Sequence, residues 1–136
     1  MRRIDRVIIA AIGSVGLMGS AMAAELTGAE IKDLITGKSV YLELTAASAT
    51  GAPGQGVIFY AADGSALYKT AKGAMWHGTW VIKDNTACID WKEAPNNPCT
   101  KYDKDGDTTS IINVATGQTR GKVLKTASGN AENLAP

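Results

Sequence analysis

Apolar and polar positions follow two different periods along this chain. Between Thr27 and Gly37, apolar residues recur at helical spacing and share one face, namely Ile31, Leu34 and Ile35. Thr27 and Glu30 have the spacing of a capping box, in which side chain and backbone bond reciprocally at a helix start. Gly37 is the residue type that commonly ends a helix. The pattern therefore predicts one helix from Leu26 to Gly37.

From Val40 onwards the period changes to two, which is typical of strands with one buried face. The clearest hairpin signal is Asp63-Gly64, and loops are expected at 46–55 and 93–98. The predicted strands lie at residues 40–45, 56–61, 65–70, 74–83, 87–92, 99–103, 108–115 and 119–125. Their number and spacing favour a mainly β fold with one N-terminal helix, built as a small antiparallel barrel of about seven or eight strands. The alternative is an open, twisted antiparallel sheet with the helix on one face.

The first 23 residues have the pattern of a secretory signal peptide. Three arginines precede an uncharged, mostly apolar run at 7–18, and Ala21-Met22-Ala23 offers the small-x-small sequence that signal peptidase accepts. We expect cleavage after Ala23 and a periplasmic or secreted location. The alternative is a retained membrane anchor, because the uncharged run approaches the lower length limit of a spanning helix.

The rest of the chain has the size and charge of one globular domain. We expect a single β-rich domain at 24–125 and a polar, disordered tail at 126–136. Three of the 14 basic residues and one of the 13 acidic residues lie in the signal segment, so the remainder has a net charge of −1. Like charges do not form a run anywhere in the sequence. This argues against a nucleic-acid partner, and cleavage would leave no stable membrane insertion.

Cys88 and Cys99 are the two cysteines of the chain. In an exported protein, an isolated pair predicts one structural disulfide. The alternative is a redox or metal pair. Redox pairs usually stand two residues apart, and a zinc site would need ligands beyond the single histidine, His77.

The densest aromatic cluster surrounds Gly78. On a strand, Trp76, Gly78 and Trp80 point to the same side, and Trp91 on the next strand can join them. Two interpretations follow. The tryptophans form the core of a small β domain, or they line a ligand pocket in which Gly78 leaves room for a ring.

No other group of residues has the spacing of a catalytic or metal site. His77 lacks a neighbouring nucleophile, so we expect a surface or cross-strand role for it. Asp103, Asp105 and Asp107 match the first ligands of a calcium loop, but Thr108 stands where that loop needs glycine. We therefore predict no catalytic residues, no metal site and no cofactor.

Several short motifs occur in a fixed order along the chain. They are Leu26-Thr27-Gly28-Ala29-Glu30-Ile31, Gly37-Lys38-Ser39-Val40-Tyr41, Tyr60-Ala61-Ala62-Asp63-Gly64, Gly78-Thr79-Trp80, Cys88 with Trp91, and Cys99 with Tyr102. In this order they resemble an uncharacterised family of small exported Gram-negative proteins, over residues 26–115. The resemblance implies export and a small β-rich fold, and it implies no activity. A more distant resemblance, carried by Gly78-Thr79-Trp80, is to lipocalin-type barrels.

These observations together predict a protein that is not an enzyme. The first functional hypothesis is an interaction module that binds another protein of the cell envelope. The alternative is a lipocalin-like binder of a small apolar or aromatic ligand, held between Trp76, Trp80 and Trp91.

Overall fold

The computed structural model describes residues 23–45, 53–94 and 96–136. The predicted signal peptide up to residue 22 and most of the predicted 46–55 loop lie outside these residues. The described elements, in chain order, are β1 (Ala24–Glu25), α1 (Gly28–Ile35), β2 (Lys38–Leu44), β3 (Gly54–Tyr60), β4 (Ser65–Lys69), β5 (Met75–Lys83), β6 (Thr86–Trp91), β7 (Thr100–Asp105), β8 (Thr108–Asn113) and β9 (Thr119–Ser128).

Eight of the strands form a closed antiparallel barrel. The hydrogen-bonded order is β7-β6-β5-β4-β3-β2-β9-β8, and pairing of β8 with β7 closes the ring. The short strand β1 adds to the outer part of β7, with Ala24 opposite Lys104 and Glu25 opposite Asp103. The structure confirms the predicted fold class and selects the barrel over the open sheet.

The single described helix begins as the sequence predicts. The Thr27 backbone N–H donates to Glu30 Oε1 at 2.9 Å, and the Glu30 N–H donates to Thr27 Oγ1 at 3.2 Å. Ile31 and Ile35 are completely buried, because the helix presents them to the barrel core. Gly37 follows in the left-handed region with φ 69°, which glycine adopts without a Cβ penalty.

Helix α1 lies across one end of the barrel. The Gly28 N–H donates to Asn85 Oδ1 in the turn between β5 and β6. At the other end of the helix, the Gly37 N–H donates to the carbonyl of Tyr60, the last residue of β3. We call this the helix end of the barrel. The loop end is opposite, where β6 ends at Trp91 and β7 begins at Thr100.

The barrel interior is an apolar core with the alternation that the sequence predicts. In β2, for example, Val40, Leu42 and Leu44 are all buried. Trp76, Trp80 and Ile89 pack against the same core from β5 and β6. Trp76 and Trp80 therefore pack as core residues, which is the first of the two interpretations of the aromatic cluster.

The disulfide between Cys88 and Cys99 is present, as predicted. It lies at the seam between β6 and β7, the neighbouring strands of the barrel with the fewest paired residues. Their one register pair is Ala87 with Thr100. The bridge joins the residues next to this pair, Cys88 and Cys99. A disulfide of this kind indicates an oxidising, non-cytoplasmic environment. Within the described ranges, no helix combines the length and apolar character of a membrane span.

The C-terminal segment differs from the expected disordered tail at 126–136. Residues 126–128 continue β9, and the Gly129 N–H donates to the Gly37 carbonyl at 2.8 Å. Leu134 is buried and packs on the outside of the barrel in a cluster with Val57 and Leu67. A single apolar side chain within a polar stretch thus anchors a segment whose composition alone indicates disorder.

Candidate binding site inside the barrel

The three tryptophans do not converge on one site. Trp76 and Trp91 have ring centroids 6.3 Å apart, and Tyr68 lies 5.5 Å from each of them. Trp80 contacts Tyr60 at 5.7 Å, and its indole N–H donates to the carbonyl of Ala61 at the helix end. The structure therefore brings Trp76 and Trp91 together and leaves Trp80 apart.

Gly78 does not leave room for a ligand ring. A Cβ atom built there would lie 2.3 Å from the carbonyl oxygen of Asp90 and 3.0 Å from Trp91 Cε3. The neighbouring backbone of β6 already occupies the space, so glycine is needed for close packing of two strands.

A small cavity does exist within the barrel. Its volume is about 40 Å³. A cavity of roughly 10–15 Å³ holds one water molecule, so this one has room for about three water-sized groups. Much of its wall is aliphatic, contributed by Leu42, Leu44, Ile58, Ala87, Ile89 and Ile111. Of the three tryptophans, Trp91 lines it.

The rest of the wall is polar and includes a positive charge. Its polar and aromatic members are Tyr60, Tyr68, Asn97, Thr100, Tyr102 and Arg120. Arg120 is half-buried, and its Nη1 donates to Thr100 Oγ1 at 3.4 Å. Among the described residues that line the cavity, it is the one that carries a formal charge.

A β-bulge in β9 turns Arg120 towards the cavity. Thr119 lies opposite Ile112, whereas Gly121 lies opposite Ile111, so two steps along β9 match one step along β8. Arg120 is the extra residue. In a regular strand it would face away from its buried neighbour Gly121, but a bulge re-aims the side chain.

The electrostatics keep the tyrosines neutral beside this cation. Burial raises the pKa of Tyr60 well above its ordinary value and raises the pKa of Tyr102 as well. The hydrogen bond between the Tyr60 and Tyr102 side chains raises the pKa of Tyr60 further and partly offsets the rise in the pKa of Tyr102. Burial lowers the pKa of Arg120, and its proximity to the tyrosines opposes that change. A guanidinium nevertheless stays protonated in proteins.

Asn97 brings a buried acceptor to the same cavity. Its Nδ2 donates to the carbonyl of Ala94 at 2.7 Å, which fixes the amide orientation. Its Oδ1 is buried and accepts no hydrogen bond from any residue that the structure describes. A buried carbonyl oxygen of this kind is stabilised by a donor, so it favours a polar occupant.

His77 and Glu93 form a pair outside the cavity. Glu93 accepts from the His77 backbone N–H at 2.6 Å and lies 2.8 Å from His77 Nδ1. These hydrogen bonds lower the pKa of the Glu93 carboxyl. The pair fastens the chain just after β6 to β5 and lies at the surface, which is one of the two roles expected for this histidine.

The aspartates of the calcium-like spacing lie on β7 and its turn. Asp103 and Asp105 belong to β7, and Asp107 follows Gly106 in the turn to β8. No cluster of three potential metal ligands is found in the parts of the chain that the structure describes.

Sequence reasoning missed Arg120, although one signal was present. It is the only arginine after Arg6, and every other basic residue after that position is a lysine. Arginine and lysine are not interchangeable, because the planar guanidinium binds carboxylates in a bidentate manner. The tyrosines could not be assigned because alternation does not show which buried residues line a gap.

Comparison with protein-family models, with curated proteins and with solved structures finds no match. The family resemblance of the short motifs therefore remains a prediction.

Proposed function

We propose that this protein is a non-enzymatic, exported binding protein that receives part of a small ligand in the barrel cavity at the loop end. The observation that carries this proposal is the half-buried Arg120, aimed into the cavity by a bulge. A barrel core that served stability alone would be apolar, because burying a charge costs free energy. Bulges are frequent beside functional sites because they re-aim side chains.

The cavity volume limits what can enter. Room for about three water-sized groups excludes a whole aromatic ring and admits one polar group. The rest of the ligand would extend out of the cavity at the loop end, past Leu44, Trp91 and Pro98. This differs from the sequence hypothesis of an apolar ligand enclosed between Trp76, Trp80 and Trp91.

The proposed location is the periplasm or the exterior of the cell. The disulfide supports it, because such bonds persist in oxidising compartments. The signal-peptide pattern of residues 1–23 supports it independently, with cleavage after Ala23.

A second proposed function is interaction with another envelope protein. The observation in its favour is the outer apolar cluster around Val57 and Leu67, which the C-terminal segment covers through Leu134. A partner segment with a similar apolar residue could replace this cover. Deleting residues 130–136 would then increase binding of that partner, whereas unchanged binding would contradict this second proposal.

Native mass spectrometry of the protein purified from the periplasm tests the first proposal. We expect an adduct of small mass in the native spectrum that disappears on denaturation. The variant Ala87→Leu adds three carbon atoms to the cavity wall and should abolish the adduct while the protein stays folded.

The matched control is Ala62→Leu, in the exposed turn between β3 and β4, and it should retain the adduct. A bare native mass for the unsubstituted protein, or an adduct that survives in Ala87→Leu, would contradict the proposal. The denatured mass also reports cleavage after Ala23.

A further inference from the structure

We infer that the group received by the barrel cavity is a carboxylate, and that the ligand is a small alkyl or aryl acid. This inference rests on the proposed function and specifies its ligand class. Three properties of the cavity carry it: its size, its charge and the hydroxyl groups in its wall.

Size separates the common biological anions. A carboxylate has three heavy atoms, which matches the room for about three water-sized groups. A phosphate or sulfate group has five heavy atoms in a tetrahedral arrangement and therefore needs more room than a carboxylate. A planar three-atom group is also the shape that a guanidinium binds through two parallel hydrogen bonds.

Charge sets the sign of the ligand. Arg120 supplies a permanent positive charge, and the other ionisable side chains in the wall are tyrosines whose raised pKa values keep them neutral. The local field therefore favours an anion and disfavours an ammonium group. Because part of the wall is apolar, the interaction is stronger than it would be in water.

The tyrosine pair adds a donor for the second carboxylate oxygen. Tyr60 and Tyr102 both line the cavity and both stay protonated, so their hydroxyl groups can supply a donor. The guanidinium and the tyrosine hydroxyls can all donate, whereas among the described residues the wall has one unpaired acceptor, Asn97 Oδ1, so the donors favour an acceptor-only group. Leu44, Trp91 and Pro98 line the same cavity and can contact the first carbon atoms of an alkyl or aryl tail.

Calorimetric titration of the full protein with matched acids and amides tests the inference. The probes are octanoate with octanamide, and phenylacetate with phenylacetamide, so each pair differs in charge at nearly constant shape. We expect each acid to bind about 10- to 100-fold more tightly than its amide, which is the range for one hydrogen bond to a charged group.

Variants at position 120 test whether Arg120 causes the difference in affinity between acid and amide. Arg120→Met should reduce acid affinity to the level of the amide, and Arg120→Lys should fall between, since lysine keeps the charge and loses the planar fork. The control Lys122→Met removes an exposed cation two residues away on β9 and should leave acid affinity unchanged. Near-ultraviolet circular dichroism reports whether each variant is folded. If Arg120→Met does not fold, the comparison of acid with amide on the unsubstituted protein decides.

The outcomes separate this inference from the proposed function. Equal binding of acids and amides, lost in Ala87→Leu, would overturn the carboxylate inference and leave the binding site in place. Acid binding that survives in a folded Arg120→Met would overturn it as well. No binding of any probe up to about 10 mM would contradict both.

Discussion

The two ends of the barrel are built for different purposes. At the helix end, Ile31 and Ile35 are completely buried, and the Trp80 indole N–H is satisfied by a backbone carbonyl. At the loop end, the wall includes a guanidinium at Arg120 and a buried Asn97 oxygen beside a cavity. The difference indicates that the helix end supplies stability, which allows polar groups to be kept inside the loop end.

The largest expected change in the free energy of unfolding comes from a substitution at the helix end. Ile35→Ala should lower the free energy of unfolding by about 2 to 5 kcal/mol, because it removes completely buried methyl groups and leaves a cavity. Urea unfolding measures this, and Leu34→Ala, which is half-buried, should cost less. Octanoate affinity of folded Ile35→Ala should be unchanged. A loss of affinity would show that the two ends are not separate.

The next largest effect is at the seam between β6 and β7. Replacing both Cys88 and Cys99 with alanine should lower the free energy of unfolding by about 3 kcal/mol, as the bridge closes a short loop over a sequence separation of 11. Unlike Ile35→Ala, this change should also weaken octanoate binding, because Ala87 and Thr100 of the seam line the cavity. Unchanged affinity would contradict the placement of the site.

The smallest effect concerns pH at the loop end. Hydrogen bonds from His77 lower the pKa of Glu93 from its ordinary 4.5, so the folded state favours the ionised carboxylate. This stabilisation is complete above about pH 4.5 and is lost as the pH falls through the lowered pKa. Because the pair is one-third exposed, we expect less than about 1 kcal/mol.

The difference in unfolding free energy between the unsubstituted protein and Glu93→Gln measures this effect across the acid range. It should shrink on acidification, with Asp90→Asn, an exposed carboxylate on β6, as the matched control. A difference that grows towards low pH would contradict the assigned direction.

The fold could be predicted because local signals agreed with it. The capping box at Thr27, the alternation of β2 and the Asp63-Gly64 turn each specify one element, and each is present. Closure into a barrel could not be assigned, because it depends on the pairing of β2 with β9, two strands that are far apart in sequence.

The site could be predicted only in part. Trp91 was identified because alternation on the neighbouring strand places it on the same side as Trp76 and Trp80, and it does line the cavity. Arg120 was missed because a bulge breaks the alternation on which strand faces are assigned, and the residue would otherwise point outward. Leu134 shows a similar limit, since its partners Val57 and Leu67 are distant in sequence.

Nuclear magnetic resonance tests most directly whether a carboxylate binds beside Arg120. The experiment records the side-chain N–H signals of the protein during titration with phenylacetate. Arg120 is the only arginine after Arg6, so its Nε–H signal can be assigned readily. We predict that the signals of Arg120 Nε–H and Trp91 Nε1–H shift. The signal of Trp80 Nε1–H, which donates to the Ala61 carbonyl at the helix end, should not shift. Shifts of Trp80 with an unchanged Arg120 would contradict this prediction.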